Sequence, residues 1–466
     1  MPIVLTAADV AAAAGGHVVS GSALLPVERI SIDSRTVEKG SFFVAIRGER
    51  FDGHRFVAAA ADAGAAGVVV HDTTAASGLS PEVVVVQVAD TTRALQDLAR
   101  HVRRASGARV VAITGSAGKT TTKEICGELL EARYRVFRNK GNLNNHIGLP
   151  LSLLELKTKP DVAVVELGMN HPGEIRTLVG IAEPEVRVWT NVGDAHIGFF
   201  PSADAIADAK AEILEAAAPD HLLVANADDP RVMARARGFA GRVMTFGVEA
   251  AADVRATDVD LAGLEGARAD VRTPAGAFRL ESPLLGLGNL ANVLAATAVA
   301  VSFDVAPAEI AERVRSLRPA YHRGELLRLP GGVTLVDDSY NSSPSALKRS
   351  LEVIGAARGS ARKVAVLGEM LELGAHADAL HEECGRAAQA AGIDLLIAVG
   401  GPPSRTLAGA AIDAGMAAGS VIAVEDRARA ADEVLKRVRP GDLVLVKGSR
   451  GIGLDTVVER LKAEFA

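Results

Sequence analysis

The segment Val110-Val-Ala-Ile-Thr-Gly-Ser-Ala-Gly-Lys-Thr-Thr-Thr122 decides the fold class of this chain. An unbroken apolar run enters a Gly-containing corner. It leaves through Lys119 and Thr120 into a segment with Ile125, Cys126, Leu129 and Leu130 at helical spacing. The order is strand, phosphate-binding turn, helix. Glycines at 115 and 118 let the backbone approach phosphate oxygens without a Cβ clash. N–H groups at the helix start, with the helix dipole behind them, favour an anion. Gly115, Ser116, Ala117, Gly118, Lys119, Thr120 and Thr121 are therefore the expected contacts to ATP. Lys119 would reach the β/γ-phosphates and the Thr120 hydroxyl would ligate Mg2+. The longer form of the motif has a glycine where Ile113 stands, so the match is to a shorter TGxxGK[ST] loop. The bland alternative is a strand–turn–helix corner with a solvated lysine.

Similar apolar runs recur on both sides of the loop: Val162–Glu166, Val186–Thr190, Leu222–Ala225, Val333–Val336, Lys363–Leu367, Leu395–Val399 and Leu443–Val446. They barely alternate, as expected of strands buried on both faces of a parallel sheet. Ala-rich helical stretches lie between many of them, which predicts α/β architecture. Residues 250–282 instead show period-two patches and Gly/Pro turns, and predict a small antiparallel elaboration. A length of 466 residues suggests three domains. The boundaries fall near residue 106, after an Arg-rich helix end, and near residue 318, at Leu317-Arg-Pro-Ala320.

Lys and Arg number 51 against 57 Asp and Glu, a net charge of −6 that gives no global attraction for nucleic acid or an anionic membrane. Anionic substrates must be held by local groups. The two cysteines, Cys126 and Cys384, lie far apart with no metal spacing around either, which fits a reduced, cytoplasmic protein. The N-terminus lacks the basic and apolar regions of a signal peptide. No apolar stretch approaches the ~18–20 residues of a membrane span, so no membrane insertion is expected.

Ligands of α/β sheets gather at the carboxyl ends of strands, and several polar groups stand at such ends. Glu166 closes DVAVVE and could hold Mg2+, or sit in solvent. His196, in Thr190-Asn-Val-Gly-Asp-Ala-His196, and the helical Lys210 are by themselves ordinary polar contacts. Asn142, Asn144 and Asn145 occupy an Asn-rich loop of the kind that usually forms turns. Asn292 could be a helix cap or a helix-face residue. Asp337 and Asp338 suggest ribose or cation contacts, or a capping carboxylate. Lys447-Gly-Ser-Arg450 reads as an anion clamp or a basic turn.

Order and spacing say more than the parts. TGSAGKTTTKE, GNLNNHIGLPLSLL, ELGMNHPGEI, TNVGDAHIG, AKAEIL, NADDP, NLANVLAA, DDSYNSSP, LGEMLELG and VKGSRG follow one another along the chain, after Ser31-Ile-Asp-Ser-Arg-Thr36 and Phe51-Asp-Gly-His54. Together they resemble the Mur ligase family, the ATP-dependent amide ligases of peptidoglycan precursor synthesis. The resemblance implies a smaller α/β N-terminal UDP-sugar-binding domain (1–106), a central P-loop parallel-sheet ATP-binding domain (107–317) and a Rossmann-like C-terminal domain (318–466). It implies two Mg2+ ions at Thr120, Glu166, His196 and Lys210, the last carrying a CO2-derived carbamate. Lys119, His196 and Lys210 become the expected catalytic groups. Asn292, Arg323 and Asp338 become nucleotide contacts. Asp33, Ser34, Arg35, Asn142 and Asn145 become substrate contacts. DDSYN, LGEMLELG and ELGMNHPGEI are most similar to the last ligase of the series, which implies UDP-N-acetylmuramoyl-tripeptide and D-alanyl-D-alanine as substrates; nothing in the sequence demands more than a monomer. Gly288 stands where the family has a histidine, and Asn341-Ser-Ser-Pro344 where it has NANP. Three readings compete: the ligase that adds the third amino acid, a folylpolyglutamate-synthase-like ligase, and a non-catalytic nucleotide switch.

Overall fold

The computed structural model describes residues 2–48 and 51–466. The chain divides into two compact units, residues 1–112 with 134–186, and residues 113–133 with 187–466.

In the first unit, a five-stranded sheet runs in the order His17–Ser20, Val84–Gln87, Gly67–Val70, Ser41–Val44, Arg29–Ser31. The last four strands pair in parallel, and His17–Ser20 joins antiparallel at the edge. Phe43, Val57, Val68, Val70 and Val85 form the core beneath it. Helix Thr91–Ser106 starts where the Asp90 carboxylate accepts the N–H groups of Thr92 and Arg93, and stops at Gly107, whose φ is +68°. Such a left-handed stop suits glycine. Beyond this helix, strand Val162–Glu166 pairs in parallel with Val136–Arg138.

The second unit opens at the end of strand Arg109–Thr114. The phosphate loop follows, and then helix Lys119–Leu130. Strands Leu222–Asn226 and Arg242–Gly247 are parallel. The expected antiparallel elaboration is present as Val254–Leu261, Ala267–Thr273 and Gly276–Ser282. It extends the main sheet, because Val254–Leu261 pairs in parallel with Arg242–Gly247. Helix Gly286–Ser302, apolar on nearly every side and correspondingly buried, packs along Lys119–Leu130. A separate six-stranded sheet follows in the order Glu325–Arg328, Thr334–Asp338, Asp442–Lys447, Arg362–Gly368, Leu395–Val399, Val421–Val424. All but its first strand are parallel. Val364, Val366, Ile397, Val444 and Val446 fill its core. Asp338 and Lys447 end two adjacent parallel strands, and Glu369 follows the next one, Arg362–Gly368.

Candidate active site

The strand into the phosphate loop is buried, which holds the loop on a rigid base. Gly115 has φ +151°, and a Cβ there would lie 1.9 Å from Thr190 Oγ1. Gly118 has φ +83°, and a Cβ there would lie 2.2 Å from Asn292 Oδ1. Both glycines are required by close approach, not only by the turn. Lys119 Nζ donates to the Gly115 carbonyl at 2.9 Å, which folds the lysine over its own loop.

A second loop, residues 190–198, is stitched to the first. The Ser116 N–H donates to the Asn191 carbonyl and the Ala117 N–H to Asn191 Oδ1 at 2.9 Å. Thr190 Oγ1 and Asn191 Nδ2 donate to the Ala117 carbonyl, and the Gly193 N–H donates to Ser116 Oγ. On its other side this loop meets the C-terminal sheet's segments. Asp194 accepts from the N–H and hydroxyl of Ser345, in the first turn of helix Pro344–Ala356. His196 Nδ1 lies 2.6 Å from Glu372 Oε2, and this hydrogen bond holds the Glu372 carboxyl below the usual carboxylate range.

Lys210 lies buried in helix Ala203–Ala211. Burial, and then the nearby Lys119 cation, push its amine well below the ordinary lysine value. No acidic group pairs with it among the described residues. Carbamylation by CO2 requires an unprotonated amine, the form that this downward shift favours.

Asn292 is buried under the phosphate loop. It accepts from Thr122 Oγ1 at 3.2 Å and donates to Asn289 Oδ1 at 3.3 Å. Arg323 lies 4.2 Å over the ring of Tyr340, and Arg450 covers the same ring at 5.4 Å and donates to its hydroxyl. Asp338 Oδ2 accepts from Lys447 Nζ at 2.6 Å and from Ser350 Oγ at 2.8 Å. Lys447, at the head of the basic turn, is thus buried and paired with the half-buried Asp338.

In the first unit, Glu166 is buried at its strand end. It accepts from Asn144 Nδ2 at 2.7 Å, and its N–H donates to Asn139 Oδ1. Asn142 is exposed. Asn145 Oδ1 receives the N–H groups of Ile147 and Gly148, at the start of helix Gly148–Leu153. Asp33 and Arg35 form a two-bond pair beyond strand Arg29–Ser31, and the guanidinium holds the Asp33 carboxyl down at about 2. Ser34 lies between them, half-buried.

In the second unit, Asn191, Asp194, Ser345 and Glu372 make contacts around the phosphate loop and His196 that motif reading did not single out. Only Ser345 carried a local signal, since Ser343-Pro344 is a helix-start pattern.

Among the described residues, no three His, Cys, Asp or Glu side chains form a ready metal cluster. Within the second unit the donors on offer are the Thr120 hydroxyl and the His196 imidazole, with oxygens at Lys210 only if its amine is carbamylated; the oriented Glu166 carboxylate belongs to the first unit. A sparse, oxygen-rich set fits Mg2+, which keeps several waters and shares phosphate oxygens with its substrate.

Fold and site together define an ATP-dependent ligase of the phosphate-loop class. The chain matches the models described as Mur ligase family, catalytic domain, over residues 26–103, Mur ligase middle domain over 113–300, and Mur ligase, glutamate ligase domain over 322–450. It belongs to the Mur ligase family. UDP-N-acetylmuramoyl-tripeptide–D-alanyl-D-alanine ligase of Bacillus subtilis is 33% identical over 443 residues, 93% of each chain. The crystal structure of MurF from Acinetobacter baumannii superposes with a TM-score of 0.88 at 31% identity, covering 99% of both chains. MurF ligase from Thermotoga maritima, solved in complex with ADP, gives 0.82 at 30% identity over 94% of this chain and 97% of that one. Among the described residues no helix is long and apolar enough to cross a membrane.

Proposed function

We infer that this chain joins D-alanyl-D-alanine to UDP-N-acetylmuramoyl-tripeptide, converting ATP to ADP and phosphate and giving the pentapeptide precursor of peptidoglycan. One observation carries the reading: full-length similarity to ligases of that name coincides with an intact TGSAGKT loop whose lysine neighbours the buried Lys210 amine.

The domains assigned to this task are 1–106 for the UDP-sugar, 107–317 for ATP and 318–466 for the incoming amine. Asp33, Ser34 and Arg35, with Asn142 and Asn145, are assigned to the UDP-linked substrate. Residues Gly115 to Thr121 take the phosphates. Arg323, Asp338 and Asn292 take the rest of the nucleotide, and Asp338 keeps Oδ1 for a ribose hydroxyl while Oδ2 serves Lys447 and Ser350. Asn292 acts at least in part through the loop, because its amide is already engaged beneath Gly118. Thr120, Glu166, His196 and a carbamylated Lys210 are assigned to two Mg2+ ions, which when bound would neutralise phosphate charge. Carbamylation turns a cation into an anion, which suits a place beside a divalent ion.

The terminal carboxylate of the tripeptide attacks the γ-phosphorus, and the bond to the β-phosphate oxygen breaks, releasing ADP. The free amine of the dipeptide then attacks the acyl carbon. The carbon–oxygen bond to phosphate breaks, the amine loses its proton, and an amide remains. Little covalent work falls to side chains. Lys119 stabilises the transferring phosphoryl group, and the backbone of the loop positions it. A monomer is the working unit assigned to this reaction. ATP and a UDP-linked substrate place the reaction in the cytoplasm.

The decisive assay supplies ATP, UDP-N-acetylmuramoyl-tripeptide and D-alanyl-D-alanine and follows phosphate release with the product mass. Release that needs all three supports the reading. Release with glutamate and a folate instead would replace it. Lys119→Ala should abolish ADP formation.

A further inference from the structure

His196 and Glu372 are 176 residues apart and meet at 2.6 Å. Both hold a left-handed backbone, φ +65° each, which is costly for any residue other than glycine. The backbone around them is docked without side chains. The Gly198 N–H donates to the Glu372 carbonyl at 2.9 Å. A Cβ at Gly198 would lie 2.6 Å from the Gly374 nitrogen, and one at Gly374 would lie 2.9 Å from Gly198 Cα. Two glycines thus let the segments close until the carboxylate reaches the ring. An ionised carboxylate only accepts hydrogen bonds, so Nδ1 carries a proton and Nε2 is the ring nitrogen left to face a metal ion. A second partner of this kind commonly fixes the tautomer and aim of a metal-binding histidine.

We propose that Glu372 is a positioning residue for His196, supplied by the C-terminal sheet's segment, so that the His196 metal site is complete only when that segment is docked on the 190–198 loop. The proposal rests on the reading of His196 as a metal ligand. Asp194 and Ser345 form an independent contact between the same loop and helix Pro344–Ala356, which provides a control for docking as such.

The test is titration of the full-length protein with Mn2+ in the presence of a non-hydrolysable ATP analogue, with free Mn2+ followed by electron paramagnetic resonance. Glu372→Ala should weaken one Mn2+ site roughly 10–100-fold, the usual consequence of losing such a partner. Binding of ADP without metal should stay unchanged. Glu372→Gln retains a neutral acceptor of the same length and should recover part of the loss. Ser345→Ala should leave Mn2+ affinity within about twofold of the unmodified protein if the metal site responds to the Glu372 contact. Unchanged Mn2+ affinity in Glu372→Ala would overturn the proposal; an equal loss in Ser345→Ala would assign the effect to docking alone and overturn the positioning role of Glu372. His196→Ala separates the two levels. If it too leaves Mn2+ binding intact, the metal role of His196 falls and takes the proposal with it. If it weakens binding while Glu372→Ala does not, only the proposal falls.

Discussion

Gly118→Ala is the substitution whose effect can be worked most directly from the geometry. Two penalties arise. Alanine at φ +83° enters the left-handed region, at a cost of roughly 1–2 kcal/mol. Its Cβ would also sit 2.2 Å from Asn292 Oδ1, so the amide must withdraw. That oxygen accepts the buried Thr122 hydroxyl, and orphaning a buried donor costs about 1–3 kcal/mol. The sum is about 2–5 kcal/mol. If it falls on the phosphate-binding conformation, nucleotide affinity drops between roughly thirty-fold and several-thousand-fold. Fluorescence titration with a labelled ADP measures the affinity, and thermal unfolding shows how much of the cost appears as lost stability instead. Asn292→Ala removes the obstructing amide together with the Thr122 acceptor, so the second penalty is counted once in the double variant, which should be about as weak as Gly118→Ala alone. The expected coupling is about 1–3 kcal/mol between the two sites. Affinity of Gly118→Ala within about threefold of the unmodified protein, with stability unchanged, would refute the reasoning. So would a double variant as weak as the sum of the singles.

Three further outcomes follow from individual contacts. Arg103 donates to the carbonyls of Ala182 and Glu183 and to the Glu185 carboxylate, so Arg103→Ala should lower the unfolding free energy by about 3 kcal/mol, visible as a reduced urea midpoint. Asn144→Ala removes the partner of Glu166 and should raise the Mg2+ concentration for half-maximal activity roughly 10–100-fold, whereas Asn145→Ala should cost about 1 kcal/mol of stability through its lost helix-start contacts, with that concentration unchanged. Burial pushes the Cys384 thiol up to about 12 from an ordinary 9.0, so it should resist a thiol reagent at pH 8 until the protein is unfolded. In that window the folded state holds a proton that the unfolded state releases. Stability therefore falls as pH rises from 9 toward 12, and the part due to this thiol should vanish in Cys384→Ala.

The parts of the fold that could be read in advance are those in which a local pattern and the final environment agree. Strand Leu395–Val399 is an uninterrupted apolar run and is buried throughout, and residues 254–282 alternate and form antiparallel pairs. The phosphate loop is legible for the same reason. Its glycines, lysine and threonines act through backbone they themselves shape, so spacing alone carries their chemistry. Lys210 became legible only through its place in an ordered set of motifs, since a lone helical lysine predicts solvent, and the structure buries it.

Asn144 and Asn145 mark where such reading stops. They are adjacent and identical in type, and nothing in local propensity separates them. The fold sends one amide to the Glu166 carboxylate and the other to the start of a helix. Lys447 was legible as a cation at a strand end. Its partner Asp338, 109 residues away, is fixed by the parallel pairing of Thr334–Asp338 with Asp442–Lys447. Glu372 has the same standing, because its meaning depends on Gly198 and Gly374 allowing two backbones to touch. The 190–198 loop gathers these cases into one device. Asn191 and Gly193 bind it to the phosphate loop, while Asp194, His196 and Gly198 bind it to segments of the C-terminal sheet. A change of backbone at Ser116 or Ala117 therefore has a hydrogen-bonded route of a few residues to Glu372. Occupancy of the phosphate loop and docking of the C-terminal segments should respond to the same substitutions in this loop.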